Sequence, residues 1–121
     1  MSLNILIVDD NREAAELFQE LLELQDYHVR CAYNGQQAMA LAGEAPAAVY
    51  LVDLTLPDIH GTELARKLRG LAEGGPRPTV IAVTGLSSDG GEEMAVFDHF
   101  LQKPVDFEKL EGILAQLAKA A

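Results

Sequence analysis

Two kinds of apolar pattern alternate along the chain. Short runs rich in β-branched residues, such as residues 5–8, are typical of strands that are buried on both faces. Longer segments repeat their apolar residues at helical spacing, as Leu17, Leu21 and Leu22 do. The alternation predicts strands over residues 5–8, 29–33, 49–52, 79–83 and 100–101, and helices over residues 14–22, 36–42, 62–71 and 107–117.

Polar residues and glycines mark the ends of these helices. Asn11 or Asp10 can cap the first helix, and Asp106 can cap the last. Gly43 and Pro46 are predicted to end the second helix. Strands that alternate with helices indicate an α/β fold, a doubly wound five-stranded parallel sheet with helices on both faces. With 121 residues, the whole chain, 1–121, is expected to form a single domain.

The composition narrows the classes of function. Hydrophobic residues make up 49% and charged residues 23% of the chain, as in ordinary globular domains, which argues against a disordered protein. The net charge of −10 disfavours direct nucleic-acid binding. No apolar stretch has the length of a membrane segment, and no signal peptide is evident. The single cysteine, Cys31, fits a reducing compartment, so we expect a cytoplasmic location.

Charged and polar residues follow four of the five predicted strands. Asp9 and Asp10 end the first strand, Asp53 the third, Thr84 the fourth and Lys103 the fifth. Because ligands of such sheets bind beyond the carboxyl ends of the strands, these side chains are expected to form one site.

Three carboxylates at one edge repel one another, and a hard divalent cation together with Lys103 would relieve that repulsion. Mg²⁺ or Mn²⁺ is the expected cofactor, and no His or Cys cluster has the spacing of a zinc site. A carboxylate beside a cation, a hydroxyl and a lysine is suited to phosphoryl transfer. Gly85, next to Thr84, leaves space for a phosphoryl group and offers its backbone N–H.

Four motifs, in this order, resemble the receiver domain of two-component response regulators, and the resemblance covers essentially the whole chain. They are residues 5–10, the loop 53–61, residues 83–85, and Lys103 followed by Pro104. Each motif is weak alone, but all four at the family spacing are specific. The resemblance implies a flavodoxin-like fold with strand order 2-1-3-4-5.

The resemblance also implies the ligands of the cation. Asp10 and Asp53 are expected to bind Mg²⁺ directly, and Asp9 largely through water. Thr55 is expected to contribute its backbone carbonyl.

A phosphoryl site is implied in the same way. Asp53 is the expected acceptor of the phosphoryl group from a histidine kinase or a histidine phosphotransfer protein. Thr84 would bond to a phosphoryl oxygen, and Lys103 would pair with Asp53 and then with the phosphate. Thr84 and Phe100, which stands at the family's rotating aromatic position, are the expected switch residues. The bond from Lys103 to Pro104 is expected to be cis.

Two features depart from the family pattern. The loop has Leu56 and Ile59 where methionine is usual, a swap of similar volume. The stretch between Thr84 and Lys103 is shorter than usual by nearly one helical turn and contains residues 88–91, which are poor helix formers. We therefore expect a short or displaced helix there.

The leading interpretation is a phospho-accepting receiver, a switch that assists its own phosphorylation and dephosphorylation but is not a turnover enzyme. The alternatives are a degenerate receiver that acts only as a protein-binding module and a small Mg²⁺-dependent phosphatase with Asp53 as nucleophile. Residues 97–106 resemble receivers attached to hybrid sensor kinases, and this resemblance implies covalent attachment to a kinase or an output domain. His28, His60 and His99 are interpreted as surface or internally satisfied residues.

Overall fold

A computed structural model describes residues 3–75, 77–85, 96–103 and 105–120. Within these ranges, the elements are β1 (Asn4–Val8), α1 (Arg12–Glu23), β2 (His28–Ala32), α2 (Gly35–Glu44), β3 (Val49–Asp53), α3 (Gly61–Leu71), β4 (Thr79–Thr84), β5 (His99–Gln102) and α4 (Phe107–Ala120). From β1 to β4 strands and helices alternate as the sequence pattern predicts, and β5 is followed by the last helix.

The five strands form one parallel sheet in the order β2-β1-β3-β4-β5, which confirms the predicted order and fold class. Successive residues of β1 point to opposite faces of this sheet. Leu6 and Val8 pack in an apolar cluster with residues of α2 and α3, whereas Ile5 and Ile7 pack in a second cluster with residues of α1 and α4. Because both faces are covered, the interior of the sheet is apolar, and the polar residues His28, Arg30, His99 and Gln102 lie on the edge strands β2 and β5. Within the described ranges, none of the helices has the length and apolar character of a membrane span.

Side chains cap the first turns of the helices. Asn11 Oδ1 accepts a hydrogen bond from the Ala14 N–H at 3.1 Å, so Asn11 rather than Asp10 caps α1. At the start of α3, His60 Nδ1 accepts from the Thr62 N–H at 3.2 Å. His60 is therefore an internally satisfied residue, as expected, but its capping role was not predicted, because histidine is not among the usual capping residues.

The predicted end of α2 was wrong at Gly43 and right at Pro46. The helix continues through Gly43 to Glu44 and ends before Pro46. A glycine near a helix end weakens the helix only modestly. Arg30, on the neighbouring β2, donates to the Leu41 carbonyl at 3.0 Å and to the Ala45 carbonyl at 2.7 Å. The Leu41 carbonyl also accepts from the Ala45 N–H at 3.0 Å, so Arg30 adds a second donor there and supplies a donor to the carbonyl of Ala45, the residue that follows the helix.

Two expectations fall outside the described residues. One is the short helix expected between Thr84 and Lys103, where residues 86–95 are not described. The other is the cis bond to Pro104.

Cys31 is half-buried on β2. Burial, assisted by the nearby carboxylate of Glu16, raises the pKa of Cys31 to about 11. The thiol is therefore protonated at neutral pH, as expected for a strand residue that packs rather than reacts.

Arg69, near the end of α3, links this helix to β4 and β5. Its guanidinium donates to the Val96 carbonyl at 2.9 and 2.6 Å and to the Pro78 carbonyl at 3.2 Å, and it pairs with Asp98 Oδ2 at 2.8 Å. The same Asp98 oxygen accepts from the Val80 N–H at 2.9 Å. The starts of two strands are thus fixed to one helix by charge-assisted hydrogen bonds.

We expect Asp98→Asn to lower the free energy of unfolding at pH 7 by about 1 kcal/mol, a value reduced for partial exposure to solvent. Burial alone would raise the pKa of Asp98, but the Val80 N–H and the Arg69 guanidinium hold that pKa below its ordinary range. A carboxyl group whose pKa is lowered by folding stabilises the fold fully when the pH is above its unfolded pKa of about 3.9. This stability is lost as the pH falls through the folded pKa. Urea unfolding from pH 7 to pH 3 should therefore show the difference from wild type shrinking on acidification. A constant difference would contradict this explanation.

Candidate functional site

The carboxyl ends of four strands meet at one edge of the sheet. Asp9 and Asp10 follow β1, Asp53 ends β3, Thr84 ends β4 and Lys103 follows β5. The parallel register aligns these ends. One carboxylate oxygen from each of the three aspartates lies within 4.8 Å of the other two. The structure thus brings together residues that are far apart in the sequence.

Lys103 faces this acidic cluster. Its Nζ lies 3.1 Å from Asp53 Oδ2 and 3.7 Å from Asp9 Oδ2. The Lys103 backbone N–H donates to the Thr84 carbonyl at 2.7 Å, so the ladder between β4 and β5 continues to the residue that carries the ammonium group. Only 2% of the Asp53 side chain is exposed. A carboxylate buried this deeply needs a paired cation or hydrogen bonds to stay charged.

Thr55 satisfies the other oxygen of Asp53. Both the backbone N–H and the Oγ1 hydroxyl of Thr55 donate to Asp53 Oδ1 at 3.0 Å. The sequence predicts a role only for the carbonyl of Thr55, and the hydrogen bond from its side chain was not predicted. Thr55 stands two positions after Asp53, and aspartate side chains commonly accept hydrogen bonds from the residue two positions later. This spacing was the signal from which the contact could have been predicted.

Burial and charge pairing act differently on the two buried aspartates. Burial raises the pKa of Asp9, although the Asn11 N–H and Lys103 oppose the change. Burial alone would also raise the pKa of Asp53, but hydrogen bonds from Thr55 and Lys103 hold that pKa below its ordinary value. Burial opposes the charge on Lys103, yet Asp53 and Asp9 raise the pKa of Lys103. At neutral pH, Asp53 is therefore an anion and Lys103 a cation.

Apolar packing explains the burial of this site. A cavity of about 20 Å³ lies against Asp9 and Asp53, and its other lining residues come from the sheet, from α1 and from the segment that includes α4. Its apolar lining residues are Ile7, Val8, Phe18, Leu51, Val83, Leu101, Val105 and Leu110. The two carboxylates therefore form the polar boundary of an apolar interior, where an uncompensated charge is costly.

The loop after Asp53 folds back onto the end of β3. A Cβ atom at Gly61 would lie 2.7 Å from Leu54 Cα and 2.9 Å from the Asp53 carbonyl oxygen, so this position requires glycine. The Gly61 N–H donates to the Leu54 carbonyl at 3.2 Å, and Thr55 and His60 form an isolated antiparallel bridge. Asp53 and Gly61, eight positions apart in the sequence, are thus the two ends of a closed loop. Residues 54–60 are called the acceptor loop below.

The remaining predicted site residues lie along the same edge or on β5. Thr84 is buried at the end of β4. Gly85 is exposed, and no described atom lies within 4 Å of where its Cβ would be. Phe100 is half-buried and packs edge-to-face on Phe97, with 5.9 Å between ring centroids. The roles expected for these residues stay predictions.

The donor set at this edge fits a hard divalent cation. In the described ranges, the group of side chains that could hold a metal ion consists of Asp9, Asp10 and Asp53, with Asp10 exposed to solvent. Carboxylate oxygens are the ligands that cations such as Mg²⁺ prefer. An open, exposed side also leaves room for the water ligands that such a cation retains.

Fold and site together define an α/β domain with an acidic, lysine-paired edge. The family model of the response regulator receiver domain matches residues 5–115. The chain belongs to this family, whose members are signalling modules of two-component systems.

Known relatives include two kinds of protein: long sensor kinases that contain a matching region, and separate response regulators. The sensor histidine kinase AtsR of Burkholderia thailandensis is 30% identical over an alignment of 118 positions, which covers 95% of this chain and 20% of AtsR. The polar-differentiation response regulator DivK of Brucella anthropi is 32% identical over an alignment of 124 positions, gaps included, which covers 99% of this chain and 100% of DivK. The chain thus spans about a fifth of the first relative and the whole of the second.

Solved structures of receiver domains have the same fold. A CheY-like receiver domain from Methylobacillus flagellatus has a TM-score of 0.87 and 34% identity, covering 96% of this chain and 98% of that one. The response regulator TrrA of Thermotoga maritima was solved in complex with Mg²⁺ and BeF. It has a TM-score of 0.83 and 25% identity, and the match covers 97% of this chain and 99% of TrrA.

We expect Lys103→Met to lower the free energy of unfolding by about 1–2 kcal/mol in the absence of divalent cations, because it leaves two buried carboxylates without their cation. In an Asp53→Asn background, the same substitution should have a much smaller effect, because one of those charges is gone. Urea unfolding of the four proteins in EDTA measures this coupling. Equal effects of Lys103→Met in both backgrounds would show that the ion pair does not stabilise the fold.

Proposed function

We propose that this chain accepts a phosphoryl group on Asp53 from a phosphohistidine of a histidine kinase or a histidine phosphotransfer protein, with Mg²⁺ or Mn²⁺ as cofactor. One observation carries the proposal. Asp53 is a buried, ionised carboxylate held between the Thr55 donors and Lys103, beside two further carboxylates. Protein binding alone would need none of these groups, and this disfavours the degenerate receiver.

The transfer step is a substitution at phosphorus. An oxygen of Asp53 forms a bond to phosphorus as the bond from phosphorus to the donor imidazole nitrogen breaks, and that nitrogen keeps the electron pair. Thr55 orients the carboxylate through its two hydrogen bonds to Oδ1. Lys103 Nζ, 3.1 Å from Oδ2, is placed to neutralise the charge of the arriving phosphoryl oxygens.

The acidic cluster is proposed to bind the cation. Asp10, Asp53 and the Thr55 carbonyl would hold it directly, and Asp9 largely through water. A bound Mg²⁺ supplies positive charge beside the phosphoryl oxygens. The structure of TrrA in complex with Mg²⁺ and BeF supports this assignment by similarity.

Thr84, Gly85 and Phe100 are proposed to report the phosphorylation. Thr84 would bond to a phosphoryl oxygen, and the backbone N–H of Gly85 would contact the same group. Phe100 lies on β5, whose register pairs it with Ala82 two residues before Thr84 on β4. Phosphorylation would shift an equilibrium between inactive and active conformations that already exists in the unmodified protein.

The biological setting is proposed from the relatives. Similarity to AtsR supports attachment to a kinase, and similarity to DivK supports a separate protein. In both cases the chain would act as a single domain in the cytoplasm. It would receive its phosphoryl group from a histidine-containing partner and would not turn over a substrate.

We expect incubation with acetyl phosphate and Mg²⁺ to add one phosphoryl group to wild type, visible in the intact mass. Asp53→Asn should show no adduct, because the nucleophile is missing, and wild type in EDTA should show none either. A lasting absence of the adduct in wild type, together with no spectral response to beryllofluoride, would favour the protein-binding module. Release of phosphate from many small phosphoesters would favour the phosphatase.

We expect Mg²⁺ to raise the melting temperature of wild type but to have much less effect on Asp10→Asn. Loss of a direct ligand should weaken binding at least about tenfold, because even outer-shell partners contribute 10- to 100-fold. In EDTA, Asp10→Asn should be at least as stable as wild type, because one repelling charge is removed. Asp26→Asn is the matched control, since Asp26 is an exposed turn residue with φ of 69°, a conformation that asparagine also tolerates. An equal response of Asp10→Asn and Asp26→Asn would exclude Asp10 from the cation site.

A further inference from the structure

A carboxylate at the tip of the acceptor loop binds the start of a helix distant in sequence. Asp58 Oδ1 accepts from the Gly35 N–H at 2.8 Å, and Asp58 Oδ2 accepts from the Gln36 N–H at 3.0 Å. Among the described residues, these two bonds are the ones that join the acceptor loop to α2. They engage N–H groups of the first helical turn, which have no partner within the helix and lie at the positive end of its dipole.

Close packing accompanies this pair of hydrogen bonds. A Cβ atom at Gly35 would collide with Ile59 Cγ2, so the helix start approaches the loop as closely as glycine permits. Leu56 and Ile59 of the loop also pack against the apolar cluster shared by α2 and α3. The N–H groups of α2 hold the pKa of Asp58 below its ordinary value, chiefly through Gly35. The carboxylate therefore stays charged, and its hydrogen bonds stay charge-assisted, at neutral pH.

The helix does not depend on Asp58 alone for its cap. Asn34 Oδ1 accepts from the Gln37 N–H at 2.8 Å and caps α2 in the usual way. Asp58 adds a second set of acceptors from another part of the chain. Since α2 already has a local cap, the link through Asp58 constrains the loop as much as the helix.

The acceptor loop carries Thr55, which contacts the phospho-acceptor. Its base is closed by Gly61 and by the bridge from Thr55 to His60, whereas its tip is exposed and touches α2 through Asp58. A cation ligand provided by backbone has to be held in position before binding, or the ordering of the loop weakens the affinity.

We propose that Asp58 is a positioning residue of the cation site, which fastens the acceptor loop to the first turn of α2 and so holds the Thr55 carbonyl in place for the cation. This inference rests on the proposed function, because that carbonyl is a ligand only if the site binds Mg²⁺. It extends the site to α2, which contributes no cation ligand of its own.

The test compares Asp58→Ala with Asn34→Ala. Both substitutions remove side-chain acceptors from the start of α2, but only Asp58→Ala releases the loop. In EDTA, amide hydrogen exchange at Thr55 and Gly61 should become about three- to tenfold faster in Asp58→Ala and should be unchanged in Asn34→Ala. Calorimetric titration with Mg²⁺ should show about three- to tenfold weaker binding for Asp58→Ala and wild-type binding for Asn34→Ala.

A purely structural role of Asp58 would give a different result. Both variants would then lose thermal stability, while Mg²⁺ affinity and exchange at Thr55 and Gly61 matched between them, and that match would overturn the proposal. If Asp58→Ala does not fold, Asp58→Asn, which retains one acceptor oxygen, replaces it under the same criteria. Failure of wild type itself to bind Mg²⁺ would overturn the proposed function together with this inference. Normal binding by wild type and by Asp58→Ala would overturn the inference alone.

Discussion

The pairing of Lys103 with Asp53 is the interaction on which the rest of the site depends. The parallel sheet brings three carboxylates to one edge, and two of them border an apolar interior. Burial works toward a higher pKa of Asp53, the most buried of these groups, and the hydrogen bonds from Thr55 together with Lys103 at 3.1 Å hold that pKa below its ordinary value. The backbone bond from Lys103 to Thr84 matters for the same reason, because it fixes the residue that carries the ammonium group to the neighbouring strand.

The same arrangement explains how Asp53 stays charged among other carboxylates. Each oxygen of Asp53 has its own donors, with Thr55 at Oδ1 and Lys103 at Oδ2. Asp9 lies further from Lys103, at 3.7 Å, and burial raises its pKa instead. Unequal hydrogen bonding, rather than unequal burial alone, therefore separates the two buried aspartates, which is a common way for sites to give similar groups different roles.

Contacts to backbone groups fasten loops and helices at both ends of the sheet. At the acidic edge, Gly61 closes the base of the acceptor loop and Asp58 joins its tip to α2. At the opposite end, Arg69 joins α3 to the carbonyls of Pro78 and Val96, at the starts of β4 and β5. The bonds from Asp58 and Arg69 give partners to backbone groups, and an unpaired backbone group is costly where it is buried. The acidic edge is thus held by polar contacts to the backbone as well as by the apolar core beneath it.

The amino-acid pattern by itself determined the fold class and the edge of the sheet at which the charged residues gather, whereas the strand order was predicted from the resemblance to receiver domains. Short apolar runs identify strands covered on both faces, and in a parallel sheet the residues that follow those strands must meet at one edge, so Asp9, Asp53 and Lys103 could be brought together without coordinates. Only the tertiary structure decided how they are held. The hydroxyl of Thr55 on Asp53, the cap provided by His60 and the link from Asp58 to Gly35, 23 residues apart, depend on the path of a loop and on side-chain direction. Periodicity reports which face of an element is buried, but it carries no information about contacts between loops and distant helix ends.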